Sequence, residues 1–371
     1  MKLLRPSVPA WPLTLWLVPG LAVLVAVVVT GSGSTVSPTP APATNPPDPV
    51  PAGRDDPRAI ALLKLAQRAA AQVPYSGVEY VAAWCHSGTV SQVVDVTHVP
   101  GTGSLVAVHG TPVAAGSTVF TAENDPSGTS TALADGTVAL LAKNYQVVLA
   151  GRDAVAGRPT LVVEARRSSG TTAARVWVDE HSGLVLRREV FDRSGAMTKA
   201  SAFVDLTIGR ASMGGKLPEP MPTAWADEVP VSAVPRLREA GWSVPATIPP
   251  HLELTDVRRP DGDDGTVLHL TYTDGLSIVS VFQQRGHLDV GGLDGFHPAQ
   301  VGAAKVYVQD GVPYRATWSA AGIVYTVVGD APDEVAEGIM AAFPHEATST
   351  GVMARLTSGV GRVASWFNPF G

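Results

Sequence analysis

A chain of 371 residues is long enough for two units, each with its own hydrophobic core. Its 27 basic and 33 acidic residues leave a formal charge of −6, which offers no basic face for phosphates and argues against nucleic acid as the main partner. The single cysteine, Cys85, excludes an intramolecular disulfide framework, a CxxC redox site and a multi-thiolate zinc site.

Residues 1–10 carry Lys2 and Arg5, the last charges before Asp48. Between them Trp11 to Thr30 is an apolar run close to the length of roughly 20 residues that a helix needs to cross a bilayer. Cationic residues ahead of it and none behind predict a cytoplasmic N-terminus with the remaining chain outside. Two readings stand for residues 11–30: a single-pass anchor in the cell membrane, or a signal peptide cut near Gly31-Ser32-Gly33, leaving a secreted or periplasmic protein. Residues 31–56 read as a linker, with seven prolines from Pro38 to Pro51 holding it extended.

Residues 57–212 read as a large domain. Asp56-Pro57 is a helix start, an acceptor at the N-cap followed by proline, and Ile60, Leu63, Ala66 and Ala70 form one stripe up to Val73-Pro74. Strands are expected at Val78–Ala83, Val90–Val99, Leu105–His109 and Thr118–Ala122, then a short helix at Asp135–Lys143. Further strands are expected at Tyr145–Ala150, Thr160–Arg167, Ala174–Asp179, Leu184–Phe191 and Ser201–Ile208. Turn signals at Pro100-Gly101, Gly151-Arg152, Ser169-Gly170, His181-Ser182-Gly183 and Arg193-Ser194-Gly195 separate them. Many short strands and few helices give an α+β, mostly antiparallel β class, with a curved or half-closed sheet and helices on one face.

Residues 213–240, with Pro218, Pro220, Pro222, Pro230 and Pro235, read as a second linker. Residues 241–345 read as a smaller β-sheet and helix domain. Its strands fall at His251–Arg259, Thr266–Thr273, Leu276–Gln284, Val301–Gln309, Val312–Ser319 and Ile323–Val328. Asp274-Gly275 and Asp310-Gly311 are two-residue hairpin signals, and Pro332 opens a helix with Val335, Ile339 and Phe343 on one face. In the tail, residues 346–371, Val352, Leu356, Val360, Val363 and Phe367 fall at helical spacing. A membrane-surface helix and a frayed end weakened by Gly359 and Gly361 both fit that pattern.

Chemical motifs are missing. The sequence holds no GxSxG elbow, HExxH, GxGxxG or P-loop, and its nine histidines never fall at i, i+4. Asp261-Gly262-Asp263-Asp264-Gly265 is dense in carboxylates but lacks the downstream glutamate of a calcium loop, so a solvated hairpin tip is expected. Cys85 reads as a structural thiol, and the chain as a binding protein rather than an enzyme, without catalytic residues, metal or cofactor. Tyr80, Trp84, Phe120, Tyr145 and Trp177 lie in or beside strands of the large segment. They are either ordinary core or the lining of an apolar cavity able to admit an acyl chain.

Four stretches in order carry a resemblance. These are Ala59–Ala71 followed by Tyr75-Ser76-Gly77-Val78; Gly151–Arg158; Arg175–Leu186, with Trp177, Asp179 and the turn Ser182-Gly183-Leu184; and Thr273–Phe282, a "TDGL…SVF" hairpin. The pattern resembles the RseB/MucB family, exported regulators of sigma-E-type envelope stress signalling. Ser182 stands where the family has threonine, and Val185 where it has proline after Gly-Leu. The resemblance implies a LolA-like half-open β-barrel with helices, followed by a small β-sheet domain. It also implies binding of the extracytoplasmic part of a membrane anti-sigma factor, shielding it from a protease, with a lipid or acylated ligand as signal. The candidate partner surface is then Thr266–Gln284 and Val301–Ser319, with Tyr272, Asp274, Phe282, Tyr307 and Tyr314 as its residues. A lipid or lipoprotein carrier on the same large domain is the alternative.

Overall fold

The structure is a computed structural model and describes residues 55–85, 88–110, 118–122, 136–209, 211, 227–249, 251–260, 266–301, 304–309, 314–329 and 333–345. The apolar run 11–30, most of the first linker, residues 212–226, the carboxylate cluster 261–265, Asp310-Gly311 and the tail 346–371 lie outside them.

Helix α1, Pro57–Gln72, begins where expected, with the Asp56 carboxylate accepting from the Arg58 amide at 2.8 Å. Its buried stripe is Ala59, Leu63, Ala66 and Ala69, one position off the expected one at both ends. The start is also sewn to a strand: the Asp56 amide donates to Val147 O at 2.8 Å, and Val147 N donates to Asp55 Oδ1 at 2.9 Å. Then follow β1 Tyr75–Cys85, β2 Gly88–Val99, β3 Gly103–Val108, β4 Thr118–Ala122, helix α2 Thr137–Asn144, β5 Gln146–Val155, β6 Arg158–Arg166, β7 Thr172–Asp179, β8 Val185–Phe191 and β9 Met197–Ile208. They form one antiparallel sheet in the order β4-β3-β2-β1-β9-β8-β7-β6-β5. Every neighbour is consecutive in sequence except β9, which returns to lie beside β1. Among the described residues the end strands β4 and β5 do not pair, so the sheet is open rather than a closed barrel.

The expected Gly151-Arg152 turn is not a turn. Gly151 sits inside β5 at a register shift, and the chain reverses five residues later at Ala156-Gly157, between the paired Val155 and Arg158. A glycine inside a strand pattern marks a bulge as often as a reversal. Ala156 has φ 49° and Ala321, in the matching turn between Ala320 and Ile323, has φ 52°. Both are left-handed positions where asparagine is at home and alanine is not. Ala156→Asn and Ala321→Asn are each expected to stabilise by about 0.5–1 kcal/mol, read as a raised denaturant midpoint at unchanged slope.

The second unit starts earlier than its expected first residue, Gly241. Helix α3, Val234–Glu239, falls inside the stretch expected to be linker, yet Val234 and Leu237 are buried in the second core. Pro230 ahead of it and Pro235 in its first turn hide the helix from a composition reading, because proline at the first turn is compatible with helix. The strands are β10 Asp227–Glu228, β11 Thr247–Ile248, β12 Leu252–Arg259, β13 Val267–Thr273, β14 Ile278–Arg285, β15 His297–Val301, β16 Ala304–Gln309, β17 Tyr314–Ala320 and β18 Ile323–Gly329. Their order is β10-β12-β13-β14-β18-β17-β16-β15, with β11 paired to β12. Helix α4, Asp333–Ala342, closes the core with Ile339 and Met340, joined by Phe343 just beyond it. Trp318, Tyr272 and Tyr325 are its largest buried side chains. Among the described residues no helix is long and apolar enough to cross a membrane.

Candidate functional site

The turn between β7 and β8 is built around one carboxylate. Asp179 has no exposed side-chain surface, and the Arg158 guanidinium grips it as a fork, Nε to Oδ1 at 2.9 Å and Nη2 to Oδ2 at 3.1 Å. The Ser182 amide and hydroxyl both donate to Oδ2 at 2.7 Å, and the Asp179 amide donates to Leu184 O at 2.8 Å. Serine at 182 in place of threonine therefore keeps the donor the turn needs. Val185 in place of proline opens β8 in register with Val178. Gly183 has φ +78°, and a Cβ there would sit 3.0 Å from the Leu65 side chain and 3.3 Å from that of Ala69. The turn is thus pressed against α1, and glycine is required by backbone and by space.

Beside this turn the sheet carries a charged ladder. Register places Glu164, Arg175 and Glu189 in one row across β6, β7 and β8, and Val162, Trp177 and Arg187 in the next. Glu164 accepts from Thr172 Oγ1 at 2.6 Å, Arg166 Nε at 2.7 Å and Arg175 Nε at 3.1 Å. Arg187 pairs with Glu189 and lies 4.6 Å from the Trp177 ring centre, while Trp177 Nε1 donates to Asp153 Oδ2 at 2.9 Å. Burial pushes the Glu164 and Asp179 carboxyls up, but their hydrogen bonds and arginine partners outweigh it, holding both below their ordinary values. The alternate residues Val163, Ala165, Ala174, Val176 and Val178 share a core with α1 and α2. Helices therefore cover one face of this region, and the other carries the charged rows beside a second apolar cluster that includes Val162 and Trp177.

A second junction joins the two sheets. The β13–β14 connection is four residues, Asp274 to Ser277, rather than the expected two-residue turn. Asp274 Oδ1 accepts from the Leu276 and Ser277 amides at 2.8 and 2.7 Å, leaving Oδ2 to accept from Tyr145 Oη at 2.6 Å. Asn144 Nδ2 donates to Asp274 O at 3.0 Å and His251 O at 3.3 Å, and Arg188 Nη2 donates to Leu276 O at 2.7 Å. Lys143 pairs with Glu253 at the rim. Leu276 is buried in the core shared by α1 and α2.

The residues expected from sequence separate into distinct places. Of the cavity candidates, Tyr80 is half-buried on β1, Trp84 is 37% exposed near the β1–β2 hairpin tip, and Trp177 is buried under Arg187. Tyr145 belongs to the junction. Phe120 sits on β4 opposite Leu105, its side chain outside the described part. Of the partner-surface candidates, Tyr272 is not on a surface: it is fully buried, its hydroxyl donating to Pro245 O at 2.8 Å. Asp274 is likewise buried, in the junction. Phe282 stacks on His269 with centroids 4.5 Å apart, the Lys305 ammonium lies 4.9 Å from the Tyr307 ring centre, and Tyr314 Oη contacts Met340 Sδ at 3.5 Å. These three keep part of their surface exposed. Arg158, Asp179 and Ser182 enter the sequence reading only as parts of the resemblance and not as interacting partners, although Asp-x-x-Ser-Gly after a strand is a side-chain-stabilised turn in itself. Among the described residues no group of three or more His, Cys, Asp and Glu converges as a metal site.

Residues 111–224 match the family model of the MucB/RseB N-terminal domain. The matched span takes in β4 to β9, and so contains the Asp179 turn, the charged ladder and the large-unit side of the junction. No curated protein matches the sequence. Among solved structures, MucB in complex with MucA(peri) is 21% identical, with a TM-score of 0.48, covering 78% of this chain and 100% of that one. The MucA/MucB complex of Pseudomonas aeruginosa is 20% identical, with a TM-score of 0.47 over 78% of this chain and 100% of that chain. LprF from Mycobacterium bovis is 14% identical, with a TM-score of 0.26, over 45% of this chain and 99% of its own. A LolA superfamily protein from Nitrosomonas europaea is 11% identical, with a TM-score of 0.19, over 75% of this chain and 96% of that one. In the large unit the antiparallel sheet is open among the described residues and its helices lie on one face, as the sequence resemblance implied.

Proposed function

We propose that this protein is an extracytoplasmic regulator of envelope-stress signalling that holds the outer segment of a membrane anti-sigma factor and shields it from proteolysis. The match of residues 111–224 to the MucB/RseB N-terminal domain carries this reading. The second unit supports it by offering half-exposed aromatic residues, Phe282, Tyr307 and Tyr314, of the kind that anchor a peptide segment. The reading takes residues 11–30 as the means of export and, uncleaved, as a tether. Tethering regulator and partner to one membrane raises their effective concentration, so a modest intrinsic affinity suffices. A lipid or acylated signal would release the partner only by binding the released state more tightly than the gripping one.

The test is capture of the tagged full-length protein from detergent-solubilised membranes of its own host, with proteins and extractable lipids identified by mass spectrometry. A single-pass protein with an anti-sigma cytoplasmic domain is the expected partner, and its half-life is expected to shorten when this protein is deleted. Recovery of lipid or lipoprotein cargo without such a partner, and an unchanged half-life, would replace the regulator with a carrier.

A further inference from the structure

The junction between the two sheets is more specific than a chance contact between neighbouring units. Asp274 divides its carboxylate: Oδ1 shapes its own turn, and Oδ2 receives the Tyr145 hydroxyl of the other unit. Gly275 sits at φ +96° where a Cβ would lie 2.7 Å from Leu141 N and 3.0 Å from Thr137 O, both backbone atoms of α2 that cannot swing aside. Leu276 enters the apolar core beneath that helix, and its carbonyl is held by Arg188 from β8. One turn of the second unit is thus gripped by a helix and a strand of the first.

We infer that the Asp274–Ser277 turn is a latch that holds the two units in one arrangement, and that its release is the conformational step by which a change in one unit reaches the other. Relative motion is the default for units whose contact is small and polar. Here a few directional hydrogen bonds act together with the packed Leu276 and the close fit of Gly275 against α2, which favours a closed and an open arrangement over a continuum. The regulatory part rests on the proposed function: a partner held by the second unit would feel a ligand on the first through this junction, of which the turn is the part held on both sides.

The test is a spin-label distance measurement on the full-length protein in a Cys85→Ser background, with labels at the exposed positions Val204 and Val290. The unmodified latch is expected to give one narrow distribution. Gly275→Ala is expected to shift it and widen it about two-fold, as for units free to move. The paired Tyr145→Phe, Asn144→Ala change reaches the latch from the other side without altering the turn's backbone, and is expected to act in the same direction. Gly322→Ala is the control, because φ there is +75° with open space around it, so it carries backbone strain without touching the junction. It is expected to leave the distribution as it was. A Gly275→Ala protein and a Tyr145→Phe, Asn144→Ala protein that both keep the narrow distribution would overturn the latch. No partner is needed for the measurement, so its failure is distinguishable from failure of the proposed function.

Discussion

Asp179→Ala is expected to destabilise the large unit by about 3 kcal/mol, the usual consequence of removing one partner from a buried ion pair. Four donors lose their acceptor at once: Nε and Nη2 of the Arg158 fork, the Ser182 amide and the Ser182 hydroxyl. Arg158 keeps 30% of its side chain exposed and recovers some hydration, which keeps the loss from being larger. The turn also sets where Gly183 meets α1, so the loss spreads to the helix. Equilibrium denaturation measures the size, and its pH dependence identifies the cause. Asp179 and Glu164 are both held below their ordinary values of 3.8 and 4.5. The stability they contribute is therefore complete above those values and is lost as pH falls through the lower folded-state ones. Asp179→Ala is expected to flatten the acid limb below about pH 4, whereas a defect of packing alone would shift the whole curve and leave its slope.

Trp318→Ala is expected to have the largest effect in the second unit, a loss of about 3–5 kcal/mol. Its ring is 1% exposed and lies between Tyr325 at 5.4 Å and His345 at 5.0 Å. Its Nε1 donates to Pro344 O at 2.8 Å, tying the end of α4 to β17. Truncation opens a cavity and unties the last turn of the fold together. Hydrogen exchange should show α4 losing protection more than β13 and β14, because their core partners Leu268, Leu270, Val279 and Val281 stay packed. Equal loss of protection across the unit would mean that Trp318 supports the whole core rather than the helix seam.

Much of the fold was legible in the residues. The Asp56-Pro57 cap, the Thr118–Ala122 strand and the Ser169-Gly170 and Arg193-Ser194-Gly195 turns depend on local chemistry and were found where expected. Two elements were misjudged for a shared reason. Gly151 and the prolines around α3 have more than one structural use, as bulge or reversal, as helix start or linker, and only pairing partners decide between them. The candidate site was less legible. Tyr272 and Phe282 both fall within the expected partner stretch Thr266–Gln284, on neighbouring strands, yet one is core and the other half-exposed. Which face of a strand is covered depends on what packs there, and α3 and α4 come from distant parts of the chain.

The α+β class, the antiparallel strand-and-turn order and the family resemblance could be read from the residues alone, because each rests on short-range pattern: alternation, turn residues and caps. That Asp179 anchors a turn against α1, that Glu164 and Glu189 form a buried ladder with arginines, and that Asp274 meets Tyr145 emerged from the folded arrangement. Those relations join residues far apart in the chain. A carboxylate's role is set by which donors reach it in the fold, which no local spacing records.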